Sequence, residues 1–477
     1  MSSVLNNLLS KIHFIGIGGI GMSGIAEIMH NLGYKISGSD ISKNQNIERL
    51  EALGIKVQIG HREENITNID YVVISSAIKH DNPEVIAAIE NKIPVIRRAE
   101  MLAELMRFKG TGIAISGSHG KTTTTALMAC MLESLGLDPS VINGGIINKK
   151  STNAYIGDSE YIVAEADESD GTFTRLPATI AVITNIDIEH MDYYKDFENL
   201  LSYFKKFITN LPFYGFAIAC IDNDTTRKLI SQIVERKVIT YGIDSQDANV
   251  RAYHIRQNHF SSTFNVSIEI PRKLQMDIKD ITLPTPGIHN ILNALPCISV
   301  AAMLDFKERD IQNSLTNFEG VKRRFTKICE YNEALVIDDY AHHPEEIKAT
   351  LEAAKQIVRE TGGKIRAIFQ PHRYSRLKDL FEEFTNCFFG VSELYIMEVY
   401  PAGEKPISGF ESKDLITEIL QKNKNLTVSS LSTIEAAQKV AHNLSKGDIM
   451  LFMGAGNITH MANDLGKILE RKSKIVA

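Results

Sequence analysis

The stretch Gly112-Ile113-Ala114-Ile115-Ser116-Gly117-Ser118-His119-Gly120-Lys121-Thr122-Thr123 decides how the chain is read. Its apolar opening, Gly112 to Ile115, predicts a buried strand. The run from Thr123 to Ala129 predicts a helix. Strand, glycine-bearing turn, Lys-Thr and helix together make a phosphate-binding loop. Glycines let backbone N–H groups turn inward, and the helix N-terminus adds partial positive charge. Lys121 is expected on the β- and γ-phosphates of a nucleoside triphosphate, and the Thr122 hydroxyl on Mg²⁺. Only two residues separate Gly117 from Gly120, so the loop is tighter than the usual G-x-x-x-x-G-K-[ST].

Upstream, residues 1 to 108 alternate strand and helix signals, which predicts a parallel sheet covered by helices. Lys11 to Ile15 reads as a strand that ends in Gly16-Ile17-Gly18-Gly19-Ile20-Gly21. A helix from Met22 to Leu32 and a strand leading to Asp40 follow. Gly16, Gly18 and Gly21 with Asp40 form a dinucleotide fingerprint, which alone suggests a nicotinamide or flavin with Asp40 on its ribose. The same turn also suits the diphosphate of a nucleotide-sugar, or packing alone. Tyr71 to Ser76 is a further strand, and Asp81-Asn82-Pro83-Glu84 opens a helix with a cap residue and an early proline.

Downstream, residues 109 to 322 form a second unit around the phosphate loop. The strand from Tyr161 runs into Glu165-Ala166-Asp167-Glu168-Ser169-Asp170. The strand from Thr179 delivers Asn185, Asp187, Glu189, His190 and Asp192. Ligands in open α/β sheets collect at such C-terminal strand ends. Two adjacent strands ending in Glu165 and His190 would set metal ligands opposite the triphosphate. Glu168 and Asp170 read as solvated loop acids. Residues 250 to 269 suggest an antiparallel excursion. Gly287 to Leu295 then opens a helix with Asn290 and Asn293 on one face, placed either to read a purine edge or to cap the helix.

The third unit, residues 323 to 477, is a second doubly wound sheet. One strand ends in Asp338-Asp339-Tyr340-Ala341-His342-His343-Pro344, another in Gln370-Pro371-His372-Arg373-Tyr374-Ser375-Arg376. These ends carry no second glycine-lysine loop, which predicts a co-substrate site. Arg373 and Arg376 suit a carboxylate, or else form a solvated helix start. Cations at a helix start also need an anion to offset the helix dipole.

The whole chain fits this division. Its 477 residues predict roughly three domains, and 44% hydrophobic with 23% charged residues is ordinary globular composition. A net charge of −6 argues against nucleic-acid binding. The five cysteines form no C-x-x-C pair, as expected of a protein in a reducing cytoplasm. No apolar run approaches a membrane span in length, and no signal pattern opens the chain. The fold class expected is three-domain α/β, with a Rossmann-like N-terminal domain, a central phosphate-loop ATPase domain and a Rossmann-like C-terminal domain.

The ordered set of these stretches resembles the Mur ligase family of ATP-dependent amide-forming enzymes over essentially the whole chain. Gly16 to Gly24, the phosphate loop, Glu165 to Ser169 and Asn185 to Asp192 carry the match. It continues through His289-Asn290…Asn293, Arg323-Arg324-Phe325, Asp338 to Pro344 and Phe369 to Arg376. The resemblance implies a UDP-N-acetylmuramate domain at residues 1–108, an ATP and Mg²⁺ domain at 109–322, and an L-alanine domain at 323–477. The reaction implied is ligation of the two substrates for peptidoglycan synthesis.

The resemblance also implies the site residues. Gly117, Ser118, His119, Gly120, Lys121, Thr122, Thr123, Asn290, Asn293, Arg324 and Asp339 would serve ATP. Thr122 and Glu165 would serve one Mg²⁺ and His190 a second. Lys121, Glu165, His190 and Arg324 would be the catalytic set. Gly16, Gly18, Gly19, Gly21, Asp40, Ser75 and Ser76 would meet the sugar nucleotide, and Tyr340, His342, Arg373 and Arg376 the amino acid. Ser118 stands where Thr is frequent in the family, and Glu189 where Asp is usual. The carbamylated lysine of some relatives has no evident counterpart. The rivals are a nicotinamide oxidoreductase, a nucleotide switch, and a recycling ligase that adds a preformed peptide to the same sugar.

Overall fold

Three sheets follow one another along the chain in a computed structural model that describes residues 10–75, 77–424 and 426–476. The first comprises β1 (Lys11–Ile15), β2 (Lys35–Asp40), β3 (Lys56–Ile59), β4 (Tyr71–Ile74) and β5 (Val95–Arg97), in the parallel order β3-β2-β1-β4-β5. Strand order reverses between β1 and β4, which is where doubly wound sheets bind ligands. The helix Ile20–Asn31 leaves β1, and its buried face, Met22, Ile25, Ala26, Ile28 and Met29, packs into the core. Asn82 caps the helix Pro83–Glu90, with Glu84 N–H donating to the Asn82 side chain. The sequence reading missed the helix Gln45–Ala52 and β3. Both are short, the helix is largely polar, and β3 buries none of its four residues.

The second sheet contains β6 (Thr111–Ser116), β7 (Ser140–Ile147), β8 (Thr152–Tyr155), β9 (Tyr161–Glu165), β10 (Ile180–Ile183), β11 (Phe216–Cys220) and β12 (Lys237–Gly242). It is completed by β13 (Val250–Asn258), β14 (Ser261–Ile270) and β15 (Leu274–Leu283), in the order β15-β14-β13-β12-β11-β10-β6-β9-β7-β8. Just two residues join β13 to β14, a connection open only to antiparallel partners, as the loosened pattern suggested. The strand β6 is buried from Gly112 to Ser116 and lies between β10 and β9. The expectation of adjacent β9 and β10 is therefore wrong: the phosphate-loop strand separates them.

The third sheet comprises β16 (Thr326–Tyr331), β17 (Ala334–Asp339), β18 (Ile365–Phe369), β19 (Glu393–Ile396), β20 (Thr427–Ser430) and β21 (Ile449–Met453). Its order is β16-β17-β21-β18-β19-β20, parallel except at the edge strand β16. Apolar layers cover both of its faces.

The chain divides into two compact units, Met1–Ile255 with Phe264–Thr282 and Ile291–Glu319, and Arg256–Thr263 with Leu283–Asn290 and Gly320–Ala477. The first unit holds both the first sheet and most of the second, joined by one continuous apolar core. Among the described residues, no helix is long and apolar enough to cross a membrane.

Candidate active site

The phosphate loop is clamped before any ligand arrives. Gly117 and Gly120 have φ of +133° and +83°, backbone that side chains rarely adopt. A Cβ at Gly117 would also sit 2.8 Å from Asn185 O. The segment after β10 holds the loop from one side. His119 N–H donates to Asn185 Oδ1 at 2.8 Å, Thr184 Oγ1 donates to His119 O at 2.6 Å, and Asp187 N–H donates to Ser118 Oγ at 2.8 Å. The helix Lys121–Ser134 starts at Gly120 with Thr122 and Thr123 buried. Asn293, within the helix Ile288–Met303, accepts from Thr124 Oγ1 at 3.3 Å, on that same phosphate-loop helix.

Lys121 is folded back onto its own loop. Its Nζ donates to Gly117 O at 2.5 Å, Ser118 O at 3.0 Å and Glu168 Oε1 at 2.8 Å. Burial opposes its charge, but Glu168, Glu189 and Glu165 outweigh burial and hold the ammonium protonated far above its usual range.

The reading of Glu168 as a solvated acid is overturned. It is 1% exposed, its carbonyl accepts from the buried Tyr194 hydroxyl, and its Oε1 lies 3.6 Å from His190 Nε2. Asp170 is half-buried and accepts from Thr172 N–H at 3.1 Å. Glu165, at the end of β9, pairs in register with Ile115 and accepts from Gly144 N–H at 2.7 Å. His190 adopts φ +58°, a strained backbone of the kind that clusters at functional sites. Burial lowers the basicity of His190, yet Glu168 and Glu189 raise it overall.

Ligand atoms of Glu168, Glu189 and His190 lie within 4.8 Å of one another, and Glu168 Oε2 is buried without a hydrogen-bond partner. Hard carboxylate oxygens and an orphaned buried acceptor fit a divalent cation. Glu165, the expected ligand, lies outside this trio.

The glycine turn lies in the same compact unit. Ser39 O accepts from Gly16 N–H at 2.8 Å and Ile17 N–H at 3.0 Å. Asp40 Oδ2 accepts from Gly18 N–H at 2.9 Å, so this carboxylate braces the turn itself. Gly19 is the N-cap of the helix Ile20–Asn31 and makes no side-chain cap bond. A Cβ at Gly16 would meet Ser75 Oγ at 3.1 Å, which places Ser75 beside the turn. Ser76 lies outside the described residues. Beneath the turn, Glu84 is fully buried. Burial favours its neutral form, but His13, Ser39 and Asn65 outweigh that and hold its carboxyl down to about 2. Glu84 thereby anchors Ser39, whose carbonyl holds the turn.

A residue missed in the sequence links the two sheets of this unit. Arg98 Nη2 donates to Asp167 Oδ2 at 3.0 Å, and Arg98 Nη1 lies 3.1 Å from where a Cβ on Gly21 would stand. Arg49 adds a second link, donating to Asn153 Oδ1 at 2.7 Å. Neither sits in a motif, so no local signal marked them.

The second unit carries its own cluster. Arg323 and Phe325 have φ of +62° and +49°, and Asp339 braces that turn. Asp339 accepts from Phe325 N–H and Ala341 N–H at 2.7 Å each, and from Thr350 Oγ1 at 3.2 Å. Burial pushes the Asp339 carboxyl up to about 6 despite Arg324. Arg324 lies 5.1 Å over the Tyr340 ring and 4.0 Å from Glu346. Asn290 turns back to donate to Pro286 O at 2.7 Å and Thr285 Oγ1 at 3.2 Å, which ties the preceding loop to the start of the helix.

The loops after β17 and β18 converge as expected. His342 and His372 rings meet edge to face at 6.0 Å, and His372 stacks on Tyr400 at 5.4 Å. Burial, then His342, Arg376 and Arg373, push His372 down to about 3. Arg376 Nη1 donates to His372 Nδ1 at 3.4 Å. Arg373 is exposed, with φ +68°. Glu404 accepts from Ser375 N–H at 2.9 Å and from its hydroxyl at 2.7 Å, at the start of the helix Tyr374–Asp379. That carboxylate supplies an anion the sequence argument had assigned to a substrate.

Comparison with known proteins agrees with this geometry. Residues 11–109 match the Mur ligase family, catalytic domain, residues 115–301 the Mur ligase middle domain, and residues 323–456 the Mur ligase, glutamate ligase domain. The chain is 58% identical to UDP-N-acetylmuramate–L-alanine ligase of Rickettsia felis over 469 residues, 98% of each chain. The crystal structure of UDP-N-acetylmuramate-alanine ligase from Thermotoga maritima superposes with a TM-score of 0.81 at 28% identity, covering 97% of this chain and 99% of that one. A murein peptide ligase from Psychrobacter arcticus shares the fold, with a TM-score of 0.70 at 22% identity over 96% and 98% of the two chains.

Proposed function

The chain belongs to the Mur ligase family, and from that membership we propose that it uses ATP to join L-alanine to the lactyl carboxylate of UDP-N-acetylmuramate. The product is a precursor of peptidoglycan, made in the cytoplasm. Residues 1–108 serve as the sugar-nucleotide domain, 109–322 as the ATP domain and 323–477 as the amino-acid domain. One observation carries the reaction class: a lysine-bearing phosphate loop meets a carboxylate–imidazole group inside one compact unit.

The chemistry needs no nucleophilic side chain. A carboxylate resists an amine because its leaving group would be oxide. Its oxygen instead attacks the γ-phosphorus of ATP and ADP departs, which leaves an acyl phosphate. The neutral amine of alanine attacks the acyl carbon, a proton is released and inorganic phosphate leaves. Lys121 balances charge on the transferring phosphoryl group, and Gly117 to Thr123 orient the triphosphate. Thr122 and Glu165 would hold one Mg²⁺ and His190 a second; bound Mg²⁺ neutralises phosphate oxygens.

Gly16, Gly18, Gly19, Gly21 and Ser75 seat the sugar nucleotide. Asp40 braces that turn as Asp339 braces the one carrying Arg324. Asn290, Asn293 and Arg324 serve the nucleotide. Tyr340, His342, Arg373 and Arg376 hold the amino acid, with the arginines on its carboxylate.

Phosphate release from ATP tests the reading. It should require both UDP-N-acetylmuramate and L-alanine, with the amide product identified by mass. Release without the sugar nucleotide would point to a nucleotide switch. A requirement for preformed peptide in place of alanine would point to the recycling ligase.

A further inference from the structure

All three hydrogens of the Lys121 ammonium are committed inside the protein, to Gly117 O, Ser118 O and Glu168 Oε1. An ammonium held this way has none left for a phosphate, so engaging a triphosphate means giving up at least one partner. If the partner released is Glu168, a carboxylate 1% exposed loses its balancing charge. A buried ion stripped of its partner is strongly disfavoured, so positive charge must return to it. The surroundings are already arranged for that. Glu168 Oε2 is buried with no hydrogen-bond partner, and His190 Nε2 stands 3.6 Å from Oε1. The Glu189 carboxylate completes a group whose ligand atoms span no more than 4.8 Å.

We propose that Glu168 is an exchange seat for positive charge: it holds the Lys121 ammonium in the nucleotide-free protein, and a divalent cation together with His190 once Lys121 has moved to the phosphates. This rests on the ATP-dependent reading above and gives a role to Glu168, which lies within the Glu165 to Ser169 stretch but was assigned none there. It also explains why a lysine of the phosphate loop is turned inward here. The resting ion pair keeps the cleft electrically balanced until nucleotide and metal arrive together.

The seat makes two predictions of opposite sign, which a merely structural role would not. In E168Q, the carboxylate no longer competes for Lys121, so a non-hydrolysable ATP analogue without metal should bind at least about threefold tighter by calorimetry. The same variant should bind Mn²⁺ in the presence of that analogue at least about tenfold more weakly, read by electron paramagnetic resonance. E168D keeps the charge with a shorter reach and should fall between wild type and E168Q in both assays. Circular dichroism checks folding, and E168D alone carries the test where E168Q does not fold. Unchanged Mn²⁺ affinity, or metal-free nucleotide binding that is unchanged or weaker, overturns the exchange. Wild-type protein that binds no Mn²⁺ with the analogue would instead overturn the ATP-dependent reading itself.

Discussion

Replacing Arg98 with alanine should damage catalysis far more than folding. The Arg98–Asp167 pair spans 3.0 Å, with the two side chains 16% and 39% exposed. Burial works against the Asp167 carboxylate, but Arg98 and then Lys121 outweigh it and hold the group down to about 2. Because Asp167 is more than a third exposed, water screens much of that attraction. The pair then contributes only about 0.5–1 kcal/mol to stability, as partly solvated ion pairs do. A melting temperature lower by no more than about 2–4 °C follows.

The catalytic cost is set by position instead. Asp167 lies between Glu165 and Glu168, and Arg98 packs on the first turn of the helix that follows the glycine turn. The pair thus fixes the glycine turn relative to the acidic segment that follows β9. Displacement of such groups by about 1 Å can lower rates about 100-fold. We expect turnover, measured as phosphate release at saturating substrates, to fall about 10- to 100-fold in R98A and similarly in D167N. The double variant should be no worse than either single one, because both remove the same link. Additive losses, or a lower melting temperature with normal turnover, would refute a positioning role.

Other outcomes follow from the same geometry. K121A and E165A should each lower turnover about 100-fold or more while UDP-N-acetylmuramate still binds by calorimetry, since each removes an oriented charge at the proposed triphosphate site. R376A should raise the KM for L-alanine at least about tenfold, the size of one charge-assisted contact, with the KM for ATP moving much less. Burial, and then Arg324, push His289 down to about 4. Its unfolded counterpart takes up a proton near pH 6.5 while the folded imidazole does not. The stability it contributes is therefore complete above about pH 6.5 and lost as pH falls toward about 4. Denaturant unfolding across that range should show the loss, and H289Q should flatten it.

Much of this was legible in the sequence because strand ends carry it. β1, β6, β9, β10, β17 and β18 are apolar runs that stop at glycine, acid or another polar residue, and each was found near its observed limits. Strand order was not legible. That β6 separates β9 from β10 is set by how helices pack between strands, which no local pattern records. Single side chains that reach across elements were equally hidden. Arg98 and Arg49 sit in unremarkable helical sequence, and only the folded chain brings them to Asp167 and Asn153.

Glu168 and Glu404 show the same limit from opposite directions. An acidic run reads as solvated because most such runs are, and the pattern cannot reveal that Lys121 turns back to neutralise one member of it. At the start of the helix Tyr374–Asp379, the argument for a bound carboxylate rested on cations that lacked an offsetting anion. Glu404, distant in sequence, supplies one through Ser375. The case for Arg376 as an alanine contact now stands on other grounds. Arg376 donates to His372, which burial and its cationic neighbours keep neutral and able to accept. That bond leaves the positive charge of Arg376 uncancelled, whereas Glu404 makes its hydrogen bonds to Ser375. A carboxylate of the substrate is the partner such a guanidinium fits best.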